Sequence, residues 1–112
     1  MEEKEIVMCV RNGFCPDIRR ARRAFEKWQL PYREINVHEA PEAHQRCQKW
    51  NGCLAMPVIV IARPGEDLPI EPPTPLKPGQ SPRNVDRGAM ISEVGEEQLR
   101  AFVRRHGFSV PG

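Results

Sequence analysis

The sequence predicts an α/β protein: a four-stranded mixed sheet flanked by helices, in the order β-α-β-α-β-β-α. Three observations carry this. Short apolar runs rich in β-branched residues, IVMCV after Glu5 and VIVIA after Pro57, suit strands buried on both faces. Two intervening segments space their apolar residues at helical periodicity. Proline and glycine punctuate the junctions, with prolines near helix starts and glycine just past an end. A chain of 112 residues fits one domain, expected over 1–112, and buries roughly two-thirds of its unfolded surface, enough for a core without staples.

The elements follow in order. EIVMCV is the first strand, closed by the turn signal RNG. From Pro16 to about Trp28, Ile18, Ala21, Phe25 and Trp28 recur at helical spacing, and the arginines fall mostly on the other faces. LPYREINV reads as a second strand entered through Pro31, and APEAHQRCQKWNG as a second helix that places Ala43, Cys47 and Trp50 on one face. MPVIVIA is a third strand, apolar enough to be central. From about 63 to 88 the chain is dense in proline and lacks periodicity, which reads as a long extended loop inserted into the domain. GAMISEV is the fourth strand. Glu96 to about His106 forms the last helix on Leu99, Phe102 and Val103, its acidic first turn and basic last turn complementing the dipole. The first half thus predicts a parallel pair joined by a right-handed crossover, and the second an antiparallel hairpin with an oversized connection.

Composition narrows the function. Charged residues make up 29% and hydrophobic ones 39%, as in soluble globular chains. No apolar run approaches the roughly 20 residues that span a bilayer, and the acidic start MEEKE is not a signal peptide, so a cytoplasmic address is expected. A net charge of +2 argues against a broad nucleic-acid surface, although Arg19, Arg20, Arg22 and Arg23 crowd one stretch. The cysteines at 9, 15, 47 and 53 form no C-x-x-C pair, so neither a zinc site nor a disulfide framework is expected.

Cys15 carries the candidate chemistry. It ends a buried strand and opens a helix, where unpaired N–H groups and partial positive charge favour thiolate over thiol. The thiolate is the nucleophile of thiol chemistry. An inert cysteine at a helix cap is the bland alternative, in about equal measure on local sequence alone. Pro57, directly before a central strand, points either to a cis peptide at Met56–Pro57 or to an ordinary first strand residue.

Together, CVRNGFCPDI, ARRAFEKWQLPYREINVHEAPEA and NGCLAMPVIVI resemble the glutaredoxin family of the thioredoxin superfamily, in which a first strand leads to a C-P-x-C motif opening a helix. The resemblance covers residues 5–62 and 89–106 and implies a thioredoxin-like fold with a cis-proline before the third strand. It also implies thiol-disulfide exchange with glutathione as co-substrate and no tightly bound cofactor or metal. Carried over residue by residue, it makes Cys15 catalytic and places Arg11, Phe14, Pro16, Met56, Pro57 and Glu96 around the glutathione or substrate. The departures are Ile18 where the second motif cysteine stands, an extra residue before Cys15, Glu96 and Glu97 in place of a small residue and Asp, and the 63–88 loop.

With one motif cysteine, the monothiol route is the one implied. Cys15 would take glutathione from a mixed disulfide and a second glutathione would release it. Cys53, four residues before Pro57, is a candidate resolving thiol, with an ordinary loop thiol as the commoner reading; Cys47 is expected in the core, and Cys9 is assigned no chemistry. The expected partners are glutathione or a disulfide-bearing protein, with the chain a monomer or weak dimer. An iron–sulfur site is a minor reading, because Pro16 replaces the glycine of the C-G-F-S motif that related cluster-binding members carry. Arsenate-reductase-like proteins also place one cysteine before an arginine-bearing helix, but their helical insertion has no room here. The alternative from another class is a redox-inactive interaction module on the same fold, favoured by Ile18 and the proline-rich loop.

Overall fold

Strand β1 (Glu5–Val10) lies inside the sheet because both of its neighbours need it: β2 (Arg33–Asn36) pairs with it in parallel and β3 (Val58–Ala62) antiparallel. The fourth strand, β4 (Met90–Ser92), pairs antiparallel with β3 and completes the order β2-β1-β3-β4. The computed structural model describes residues 3–111, so Met1, Glu2 and Gly112, the ends of the expected 1–112 span and of the acidic start, lie outside the described residues. No helix among the described residues is long and apolar enough to cross a membrane.

The two continuous apolar runs became the two central strands. Ile6 through Val10 and all of β3 are buried, as strands covered on both faces must be. Edge strand β2 is only partly buried, which fits its alternating polar sequence. Helix α1 (Pro16–Lys27) turns Ile18, Ala21, Ala24 and Phe25 inward and carries its cations outward. It packs on α3 (Glu96–Arg105), which buries Leu99, Phe102 and Val103. Phe25 and Phe102 are both 1% exposed; truncating a buried Phe to Ala costs about 3–5 kcal/mol.

Helix α2 (Pro41–Asn51) begins at Pro41 and ends at Gly52, whose φ of 74° closes the helix in the left-handed region open to glycine. It reaches the sheet through Cys47, whose thiol meets that of Cys9 on β1. Cys9 and Cys47 are 4% and 1% exposed and both belong to the core cluster, and the Cys9 contact and burial push the Cys47 thiol strongly up, so the pair packs the core.

The proline-rich segment between β3 and β4 is pinned along its length rather than projecting. The Ile70 N–H bonds the Ile61 carbonyl at 2.8 Å, and Pro69 bridges Ala62. Arg87, 4% exposed, threads into the body. Its Nε donates to the Thr74 carbonyl, and one Nη to both the Trp50 carbonyl and Asn51 Oδ1, all at 2.8 Å. The Trp50 and Asn51 oxygens lie at the C-terminal end of α2, where the helix dipole favours a cation. Nearer β4, the Asn84 N–H bonds the Ser92 carbonyl at 2.9 Å.

Candidate functional site

The sheet register brings four chain segments to one end. Val10 ends β1 opposite Asn36, which ends β2; Cys9 pairs Val58, the first residue of β3; and Val58 pairs Ser92, the last of β4. The turn to Cys15, the Met56–Pro57 peptide and the start of α3 therefore all leave the sheet at this edge. The Asn12 side chain accepts a 2.8 Å bond from Asn36, fastening the 11–14 turn to β2. Gly13, at φ 89°, makes that turn possible.

Cys15 is the N-cap residue of α1, with extended backbone (φ −146°, ψ 113°). Its carbonyl accepts the first helical bond, from the Arg19 N–H at 3.1 Å. Pro16 has no N–H to lose, and the Asp17 and Ile18 N–H groups have no intrahelical partner. The residue is 8% exposed and touches the core cluster, more enclosed than a surface cap. Ile18 is 2% exposed, so the position of the absent second cysteine is filled by core packing.

The Met56–Pro57 bond is cis. The Pro57 carbonyl accepts from the Glu93 N–H at 2.9 Å. Among the described residues, neither the N–H nor the carbonyl of Met56 has a hydrogen-bond partner, although its side chain is 3% exposed and lies in the core cluster. A backbone pair left open at a sheet end is a ready partner for an extended chain.

Of the residues expected around the substrate, three come together. Phe14, Pro16 and Glu96 line one open groove of about 360 Å³ with Arg19, Arg20 and Arg23. Phe14 is 69% exposed, and the Arg19 guanidinium sits 5.4 Å from its ring centroid. Glu96 is held by Lys27 at 2.9 Å, and that hydrogen bond keeps its carboxyl below the usual range. Arg11, Met56 and Pro57 do not line this groove, nor does Cys15 itself; the Arg11 guanidinium folds back onto the Asn12 carbonyl at 3.0 Å. Cys53, just past α2, is exposed, with its thiol 3.7 Å from the Asn51 carbonyl at the end of that helix. A separate cavity of about 380 Å³ lies at the opposite end of the sheet, between Lys4, Glu5, Tyr32, Arg33 and Phe108, remote from the Cys15 edge.

Sequence reasoning missed the charges that frame Cys15. Asp17 is bound by Arg20 at 2.6 Å and by Arg83, from the proline-rich segment, at 3.0 Å. Burial acts to raise the Asp17 carboxyl, but these two guanidinium groups outweigh it and hold the group below its ordinary value. Arg83 also reaches Glu93 at 2.9 Å. Nothing in the local sequence marks Arg83, since its partner lies 66 residues away. Among the described residues, no cluster of three or more His, Cys, Asp or Glu side chains is placed to hold a metal ion.

A family model described as Glutaredoxin matches residues 6–63, from β1 to just past β3. No curated protein matches the chain significantly, and neither does any solved structure.

Proposed function

Since the chain belongs to the glutaredoxin family, by a match to just over half of its length, we propose that it reduces glutathione mixed disulfides through Cys15 alone. The observation that carries this reading is the α1 start: a single cysteine at the N-cap, with Ile18 packed in the core at the second motif position.

Two exchanges complete the cycle. The Cys15 thiolate attacks the glutathionyl sulfur of protein–S–S–glutathione, forming Cys15–S–S–glutathione and expelling the protein thiolate, which takes up a proton. A second glutathione, as thiolate, attacks the glutathionyl sulfur of that adduct. Oxidised glutathione leaves and the Cys15 thiolate returns. The open Met56 N–H and carbonyl bind the extended backbone of glutathione, while Phe14 and Pro16 border its entry. Glutathione is a co-substrate here, and the route calls on no bound cofactor. Cys53 is not required.

The enclosure of Cys15, at 8% exposure, favours the alternative, an interaction module without turnover. Steady-state reduction of a glutathionylated peptide by purified protein and glutathione separates the two. Turnover abolished by Cys15→Ser and retained by Cys53→Ser supports the monothiol enzyme. Absence of turnover in the unaltered protein, or turnover indifferent to Cys15→Ser, removes it.

A further inference from the structure

We infer that the groove beside Cys15 receives an extended acidic stretch of a partner polypeptide, with carboxylates about two and four residues from its reacting cysteine. The inference rests on the Cys15 exchange proposed above and adds the chemistry of the partner.

Helix α1 carries Arg19, Arg20, Arg22, Arg23 and Lys27. Three of these are spent within the fold: Arg20 on Asp17, Arg22 on Glu34 and Lys27 on Glu96, at 2.6, 2.8 and 2.9 Å. Among the described residues, Arg19 and Arg23 have no carboxylate partner. Both are exposed, and both line the groove that Phe14 and Pro16 border. Like charges one turn apart work against the helix, so folding gains nothing from the arrangement. Glu96, across the groove, is already engaged by Lys27 and by Arg100 at 3.5 Å, which leaves the two guanidinium groups for an outside anion.

The spacing selects the occupant. Arg19 and Arg23 follow Cys15 by one and two helical turns, about 6 and 12 Å along the axis. An extended chain advances about 3.3 Å per residue, so its second and fourth residues from the reacting sulfur reach those distances. These positions share one face of an extended chain with the cysteine itself. The exposed Phe14 ring, with Arg19 against it, supplies the apolar floor.

The test uses three peptides glutathionylated on one central cysteine, with Glu, Gln or Lys two and four residues both before and after it and otherwise identical. The purified full chain reduces each with glutathione, and the mixed disulfide of glutathione with 2-mercaptoethanol serves as a small substrate without either flank. We expect kcat/KM for the Glu peptide to exceed that for the Gln peptide about fivefold at low salt, with the Lys peptide lowest. The preference should shrink towards unity in high salt, and the Glu-to-Gln ratio should fall to about one in R19Q/R23Q. Equal turnover of the three peptides, or a ratio unaltered in R19Q/R23Q, overturns the inference. Preference for the Gln or Lys peptide assigns the groove to a neutral or basic segment and overturns it equally. If the small disulfide is still reduced in those cases, the Cys15 chemistry stands without this partner. If no glutathionylated substrate is reduced, the chemistry fails and the inference falls with it.

Discussion

The Arg83 guanidinium lies 3.0 Å from the carboxylate of Asp17, two positions after Cys15. This ion pair joins the long proline-rich segment to the first turn of α1, and the same Nη1, donating also to Glu93, joins both to the turn before α3. A segment that reads in sequence as a detached loop thus touches the helix that presents the candidate nucleophile.

Removing that contact should loosen the segment locally. Arg83 is half exposed, so Arg83→Ala is expected to leave global stability nearly unchanged. It should speed amide exchange at Asn84, whose N–H bonds the Ser92 carbonyl, while Thr74, bonded to the Arg87 carbonyl, stays protected. Hydrogen exchange read residue by residue checks this; unchanged protection at Asn84 contradicts it.

Arg87 is the stronger anchor. Arg87→Ala strips the buried Asn51 Oδ1 and the part-buried Trp50 and Thr74 carbonyls of their donor and should destabilise the fold by about 2–4 kcal/mol. Lysine carries the charge without the planar fork, so Arg87→Lys should recover only part of the loss. Urea unfolding of both variants measures the difference, and a loss in Arg87→Ala no larger than at a surface site would contradict the anchoring role.

Stability should fall in two steps on acidification. Burial holds the His106 imidazole below its usual value, against the opposing bond to the Gly88 carbonyl. The folded state therefore binds fewer protons than the unfolded one just below the ordinary histidine value of about 6.5. Its contribution is complete above that pH and is lost as pH falls through the folded value. The carboxylates of Glu5, Asp17, Glu34 and Glu96 are likewise depressed by their cationic partners. Their contribution is complete above about pH 4.5 and is lost only as pH falls through their lowered folded values. In urea midpoints recorded against pH, His106→Gln should abolish the first step and spare the second; a first step that survives the substitution assigns it elsewhere.

Restoring the second motif cysteine tests the helix start. Ile18→Cys places a thiol one helical turn from Cys15 and should allow an internal disulfide under oxidising conditions. Losing a buried isoleucine side chain should cost the reduced form about 1–3 kcal/mol. Peptide mapping of the disulfide after oxidation, on a Cys53→Ser background, reads the result. A pair that stays reduced contradicts the placement of Cys15 at the N-cap.

The element order was legible because each boundary has a local cause. Pro16 and Pro41 open helices, Gly52 closes one, and the β-branched runs at 6–10 and 58–62 have too few polar residues for a surface strand. The cysteine at the α1 start was legible from Pro16 and the apolar strand before it, and the cis bond before Val58 from the family pattern. What could not be read depends on distant partners. Arg19 and Arg20 are neighbours of one type, yet only Arg20 is paired, because Asp17 lies one turn before it and nothing comparable faces Arg19. The pinning of the 63–88 segment by Ile70, Arg83 and Arg87 likewise follows no period. Arg11, carried over from the family, turns to its own backbone because its neighbour Asn12 is tied to Asn36.

Cys15 as the nucleophile is tested most directly by trapping its adduct. The full chain, fully reduced, is mixed with a glutathionylated peptide in the absence of free glutathione, quenched with acid and mapped by mass spectrometry. One glutathionyl group on the fragment containing Cys15, matched by release of one peptide thiol and discharged by added glutathione, is the expected result. Glutathione found only on Cys53, or a peptide left fully glutathionylated, would contradict it.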